Sequence, residues 1–197
     1  MNEYVLTINF WNSVNKFDFP VFKKINGEWH NSFLDNLFLI SREAFLWVPF
    51  YFFLLIFVIV NFKKKGSYWA LALMATAAIS NYISSNIIKP CSFRIRPCHE
   101  PLLAEHIRLL AQYCGQNFSF TSSHAVNHFA ISVFIYKTFR HHLSKWWALI
   151  FVWAFLICYA QVYVGVHYPT DVIGGAIIGS LIGYGMATIY NREINLG

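Results

Sequence analysis

The sequence is poor in charge. Of its 197 residues only 12% are Asp, Glu, Lys or Arg, about half the share usual in a soluble domain. Hydrophobic residues make up 57%, and mean hydropathy is +0.45. The first residues lack a basic start, a continuous apolar core and a small-residue cleavage site, so no secretory signal is expected. There is no internal repeat, low-complexity stretch or interdomain linker. No basic patch with interleaved aromatics lies outside the apolar runs, which argues against a nucleic-acid partner despite a net charge of +6. No C-x-x-C unit is present, and the pair His124 and His128 has no glutamate beside its first histidine. Neither pattern supports a metal site.

The sequence is rich in long apolar runs. Residues 45–62, 68–88, 146–166 and 171–190 each approach the roughly 20 residues needed to cross hydrocarbon. Residues 124–139 form a shorter, more polar fifth run. The expected fold is therefore all-α: a polytopic membrane helical bundle of about five transmembrane helices in one membrane-embedded domain, 1–197. Trp47, Tyr68, Trp69, Trp146 and Trp147 near the run ends suit an interfacial belt. In segment 1–36, Leu6, Phe10, Val14 and Phe17 share one helical face. They predict an interfacial helix or one packed on the protein's own spans.

Five spans put Lys63, Lys64, Lys65, Lys137, Arg140, Lys145 and Arg192 on one side, which we read as cytoplasmic. The long segment 89–121 then lies outside, and a loop of that length usually carries function. Asn81, Ser84, Ser85 and Asn86 make the end of the second run polar, so it should face protein or a wet cavity. Pro169 suits the first turn of the last helix. Gly175, Gly179 and Gly183, four residues apart, fit close packing against a neighbouring span or a dimer face. The first is favoured, and the oligomeric state stays open.

Three separated clusters bear chemistry. Lys89 and Arg96 offer two cations seven residues apart, and arginine's planar fork suits a phosphate. Ser122, Ser123 and His124 stand at a helix start, where free N–H groups and the helix dipole favour an anion. There a serine also caps the helix, and the histidine is placed to donate a proton. His167 and Asp171 lie one helical turn apart. A carboxylate on one imidazole nitrogen leaves the other available as a nucleophile.

In these residues the chain resembles the type 2 phosphatidic acid phosphatase family. Its motifs K-x6-R-P, P-S-G-H and S-R-x5-H-x3-D read here as Lys89 to Arg96-Pro97, Thr121-Ser122-Ser123-His124, and Ala160-Gln161 with His167 and Asp171. The resemblance implies a membrane-embedded, metal-independent phosphatase with no cofactor. It acts on a lipid phosphate or diphosphate, with undecaprenyl diphosphate the first candidate. His167 would attack phosphorus to form a phosphohistidine, Asp171 would orient it, and His124 would protonate the departing oxygen. Lys89, Arg96, Ser122 and N–H groups near Ser123 would hold the phosphate. The site would lie on the outer face of a bacterial cytoplasmic membrane. A lipid phosphotransferase and a non-catalytic lipid-phosphate binding or transport protein are the alternatives.

Thr121 and Ser123 replace the family's Pro and Gly. Gln161 replaces its third-motif Arg and removes a cation, which predicts either weaker binding of a dianionic monophosphate or compensation by Arg94. Cys91, Cys98 and Cys114 fall in the outer segment. A Cys98–Cys114 disulfide bracing that segment is favoured over a zinc cluster with His99 and His106, although Cys91 is a possible partner for either cysteine.

Overall fold

The computed structural model describes residues 3–141 and 148–196, and every regular element among them is helical. Lys145, Trp146 and Trp147, assigned above to the cytoplasmic side and to an aromatic belt, lie outside the described residues. The helices are α1 (Glu3–Phe22), α2 (Ser32–Ser41), α3 (Ala44–Tyr82), the short α4 (Lys89–Ser92), α5 (Ser123–Phe139), α6 (Leu149–Tyr163) and α7 (Pro169–Glu193). Two stretches are long and apolar enough to cross a membrane: Ala44–Leu103 and Pro169–Glu193, with mean hydropathies of 2.4 and 1.7 in their most apolar windows.

The two apolar runs at 45–62 and 68–88 are the legs of a hairpin. Lys63, at φ 53° and ψ −125°, breaks the helical course of α3. The chain doubles back so tightly that a Cβ on Gly66 would lie 2.2 Å from the carbonyl oxygen of Val58. Only glycine fits there. The buried residues Leu54 and Val58 of the first leg meet Trp69 and Leu73 of the second, together with Phe134, Ile135 and Phe139 of α5 and Tyr190 of α7. At this end Trp69 Nε1 donates to Thr138 Oγ1 at 2.8 Å, and Tyr190 Oη donates to the Lys65 carbonyl at 2.9 Å. The Lys63 turn therefore sits beside the C-terminal ends of α5 and α7. Segment 89–121 joins their opposite, N-terminal ends.

The glycine stripe of α7 packs against α5. A Cβ on Gly179 would lie 2.2 Å from the Val126 oxygen, and one on Gly183 the same distance from the Ala130 oxygen. Backbone rests on backbone, the arrangement small residues permit where lipid supplies no hydrophobic drive between helices. The intramolecular packing favoured from the sequence is what the stripe does.

Helix α1 packs on the bundle along one side and leaves apolar side chains outward on another. Leu6, Phe10 and Phe17 are exposed, while Asp18 and Phe22 are fully buried. Phe22 packs with Leu103, Val162 and Tyr168. Beyond α1 the chain turns through a π-helical segment, Lys23–Glu28, whose buried Asn26 works as a staple. Its side-chain amide donates to the carbonyls of Arg108 (2.8 Å) and Tyr163 (2.7 Å), and its oxygen accepts from the Arg108 N–H at 2.8 Å. Arg108 also pairs with Asp35 at 2.8 Å, and Tyr163 Oη donates to the same carboxylate at 2.6 Å. Segment 89–121 is thus moored to α2 and to the end of α6. It is braced by a Cys98–Cys114 disulfide, with Cys91 and Cys158 as free thiols.

Candidate active site

The turn between α6 and α7 presents His167. The Gln161 carbonyl accepts from the N–H groups of Val166 (3.1 Å) and His167 (3.2 Å), and Gly165 takes φ +88°, a conformation that glycine alone adopts without strain. Pro169 opens α7, and Asp171 falls in its first turn. The Asp171 carboxylate accepts from the Tyr168 N–H at 2.9 Å, closing a capping box, and faces His167 Nδ1 at 3.4 Å. Arg96 Nη1 meets the other ring nitrogen, Nε2, at 3.2 Å. A guanidinium only donates, so Nε2 accepts and Nδ1 carries the hydrogen toward Asp171. Burial pushes the His167 imidazole down to about 3, against a partial opposing pull from Asp171, so the ring is neutral. Its Nε2 lone pair points to the cations.

Asp171 is itself held. Arg94 Nη1 donates to it at 2.6 Å, and Ser119 Oγ donates to its other oxygen. Arg94 Nη2 reaches Asp18 of α1, and Asp18 also accepts from the Thr170 hydroxyl and, at 3.0 Å, from the Thr170 N–H. The Arg94 guanidinium lies 4.4 Å from the Trp11 ring and 4.3 Å from the Tyr168 ring, in cation–π contact with both. Arg94 therefore does not take up the place left by the arginine missing at 161. Its fork is spent on two carboxylates behind the histidine.

Arg96 Nε donates to the Asn117 carbonyl at 2.9 Å, and its Nη1 also reaches the Val166 carbonyl at 3.2 Å. Lys89 is buried and donates to the Thr121 carbonyl. Ser122 caps α5: its Oγ accepts from the Ala125 N–H at 3.4 Å, and its own N–H donates to the Asp171 carbonyl at 3.2 Å. Ser123 Oγ lies 2.9 Å from Ser84 Oγ and 3.1 Å from Ser85 Oγ. Ser84 and Ser85 of the polar run ending the second leg thus face the site and Asn81 lines the cleft beside it, whereas Asn86 is exposed. Gln161 is buried in α6; its side-chain nitrogen reaches the Ile157 carbonyl at 3.4 Å and its oxygen has no partner among the described residues.

His124 stands in the first turn of α5, within electrostatic reach of Lys89 and Arg96. It also lines a largely apolar cleft of about 430 Å³ between the two legs of α3 and α5, walled by Trp47, Tyr51, Leu55, Leu73, Ala77 and Ile131. His128 packs edge-on to the Trp153 ring, 4.6 Å between centroids. The site thus has a polar end rich in cations and an apolar end, with His124 where they meet.

Sequence reasoning missed Asp18, Asn15, Ser119 and Thr170, which hold Arg94 or Asp171. The one local hint was Asp18 itself, an acid set between Phe17 and Phe19, and it names no partner.

Among the described residues, a helical bundle gathers Lys89, Arg94 and Arg96 around a histidine faced by a carboxylate, a class of site suited to an anion. The PAP2 superfamily model matches residues 67–195, and the chain belongs to that superfamily. It is similar to a lipid A 4'-phosphatase of Porphyromonas gingivalis, 29% identical over 86% of this chain and 71% of the relative. It is also similar to the undecaprenyl-diphosphatase BcrC of Bacillus subtilis, 26% identical over 85% of this chain and 81% of the relative. Among solved structures, Aquifex aeolicus LpxE superimposes with a TM-score of 0.61 at 28% identity, covering 87% of this chain and 95% of that one.

Proposed function

We propose that the protein is a metal-independent membrane phosphatase that removes a phosphate from a lipid through a phosphohistidine intermediate. The observation that carries this reading is His167, with Nδ1 turned to Asp171 and Nε2 turned to Arg96. An incoming phosphate would sit between Nε2 and the guanidinium, held by Arg96, Lys89 and the Ser122–Ser123 helix start. The Nε2 lone pair attacks phosphorus, the bond from phosphorus to the lipid oxygen breaks, and protonated His124 gives its proton to that oxygen. Water then attacks the phosphohistidine while His124 takes its proton, and inorganic phosphate leaves. Asp171 stabilises the imidazolium character of the ring during both steps.

The apolar cleft beside His124 supports a lipid leaving group whose tail lies between the α3 legs and α5. Five spans account for the arrangement: the two legs of α3, then α5, α6 and α7, in one membrane-embedded domain. Lys63, Lys64, Lys65, Lys137 and Arg192 gather at the end remote from the site, which favours an outer-facing site in a bacterial cytoplasmic membrane. The name of the Porphyromonas relative supports a lipid A phosphate as substrate. The name of the Bacillus relative favours undecaprenyl diphosphate as a second reading.

The test is phosphate release from lipid A and from undecaprenyl diphosphate by detergent-purified protein in EDTA, beside His167→Ala. Release that His167→Ala abolishes supports the mechanism and ranks the substrates. Release that EDTA stops, or that His167→Ala retains, refutes it.

A further inference from the structure

Arg42 lies between α2 and α3, just before the stretch that walls the apolar cleft. Two residues on, Ala44 and then Trp47 line that cleft opposite Ser123 and His124. Trp47 Nε1 donates to the Ser41 carbonyl at 2.7 Å, so the turn bearing Arg42 is fastened to the helix that walls the cleft. The side chain is half-buried, and its Nε is shielded from solvent without a hydrogen-bond partner among the described residues. No ion pair among those residues includes it. Its chain neighbour Glu43 is the one acid that acts on it, and only partly offsets the cost of its burial. Arg96 and His124 both lie within its electrostatic reach.

This is an expensive arrangement. A buried charge is normally paired, and a guanidinium near a second guanidinium is disfavoured further. The contrast with Arg94, which holds two carboxylates, is direct. Arg96 is spent on carbonyls and on His167. Arg42 alone among these three arginines has no hydrogen-bond or ion-pair partner among the described residues, while its charge acts on both Arg96 and His124. An anion arriving beside His124 would supply one.

We propose that Arg42 is a third phosphate-binding cation beside Lys89 and Arg96, placed on the leaving-group side of the site. The assignment rests on the phosphatase reading and deepens it: Arg96 serves the oxygens nearest His167, and Arg42 those nearest His124 and the bond that breaks. The oxyanion it grips belongs either to the phosphoryl group being transferred or to a second phosphate on the departing lipid. Both present the same chemistry to a guanidinium, which forms charge-assisted, bidentate hydrogen bonds with either.

The experiment is direct binding of orthophosphate and of pyrophosphate to the full-length detergent-purified protein in EDTA, with Arg42→Gln and Arg42→Ala beside wild type. Arg192→Ala, at an exposed arginine far from the site, is the control. Arg42→Gln keeps most of the side chain's bulk, so a folding failure of Arg42→Ala does not remove the test. Loss of one charge-assisted contact predicts binding about 10- to 100-fold weaker. Weakening of both ligands assigns Arg42 to the transferred group, and weakening of pyrophosphate alone assigns it to a second phosphate. Unchanged binding of both ligands by Arg42→Gln overturns the proposal, even if wild type hydrolyses lipid. If wild type releases no phosphate from any lipid, the phosphatase reading fails instead, and the binding result still decides Arg42.

Discussion

Asp18 on α1 and Asp171 on α7 share one guanidinium: Arg94 gives Nη2 to the first and Nη1, at 2.6 Å, to the second. All three side chains are essentially sealed from solvent. The first and last helices are therefore joined at the carboxylate that faces His167, so the setting of the proposed nucleophile depends on a residue near the start of the chain.

Breaking this triad leaves a buried carboxylate uncompensated, at a cost of roughly 3–5 kcal/mol. Arg94→Ala is expected to lower the temperature at which the purified protein loses its gel-filtration peak. Arg94→Lys keeps a charge but does not reproduce the planar fork, so kcat should fall with little change in KM. Wild-type kcat in Arg94→Lys would show that the bidentate grip is immaterial.

The lowered affinity of His167 for a proton has a defined sign. Its folded value, near 3, lies below the ordinary histidine value of 6.5. Between those limits the unfolded chain binds a proton that the folded chain does not, so this residue's contribution to stability falls as pH drops from 6.5 toward 3. Above pH 5 the ring stays neutral. Nitrogen-15 spectra of labelled histidine at pH 6 should show His167 as the neutral Nδ1–H tautomer, assigned by its loss in His167→Gln. An imidazolium signal there would contradict the burial argument.

Filling the apolar cleft should separate tail binding from chemistry. Ala77→Trp puts a large ring on the cleft wall. It is expected to raise KM severalfold for a long-chain lipid phosphate while leaving hydrolysis of a short, water-soluble phosphomonoester unchanged. Equal effects on both substrates would place the tail elsewhere.

The Cys98–Cys114 bridge closes a loop of sequence separation 16, and by chain entropy contributes roughly 3 kcal/mol. Cys98→Ser is expected to lower thermal stability and to loosen the segment carrying Asn117, whose carbonyl holds Arg96. Limited proteolysis within 99–113 should accelerate in the variant. An unchanged cleavage rate would mean that the Asn26 staple suffices.

Much of this was legible before any coordinates, for a physical reason. Apolar runs must become helices where backbone groups have no water to bond, so the runs at 45–62, 68–88, 124–139 and 171–190 coincide with helical segments. Residues on one helical turn, such as His167 and Asp171, carry their geometry in their spacing. The glycine stripe reads directly as close approach. Asp18 does not, because its partners lie on Arg94 and Thr170, and nothing local to α1 announces a contact so distant in sequence. Arg42 is hidden by its setting: an arginine just before an apolar run has the spacing of a headgroup anchor, and only the packing of α3 on α5 brings its charge within reach of His124. Arg94 was legible as a cation near the site, but not as one facing the back of Asp171, since that direction is set by the left-handed turn at Phe93.

The seam of Gly175, Gly179 and Gly183 against Val126 and Ala130 has a metrical consequence. α5 delivers His124 from one side of this seam, and α7 follows His167 and carries Asp171 on the other. With no side chain between the two backbones, the seam works as a gauge block: its thickness sets how far His124, the proposed proton donor, stands from His167, the proposed nucleophile. A single methyl group inserted deep in the bundle would leave every reactive atom intact and detune the gap between them.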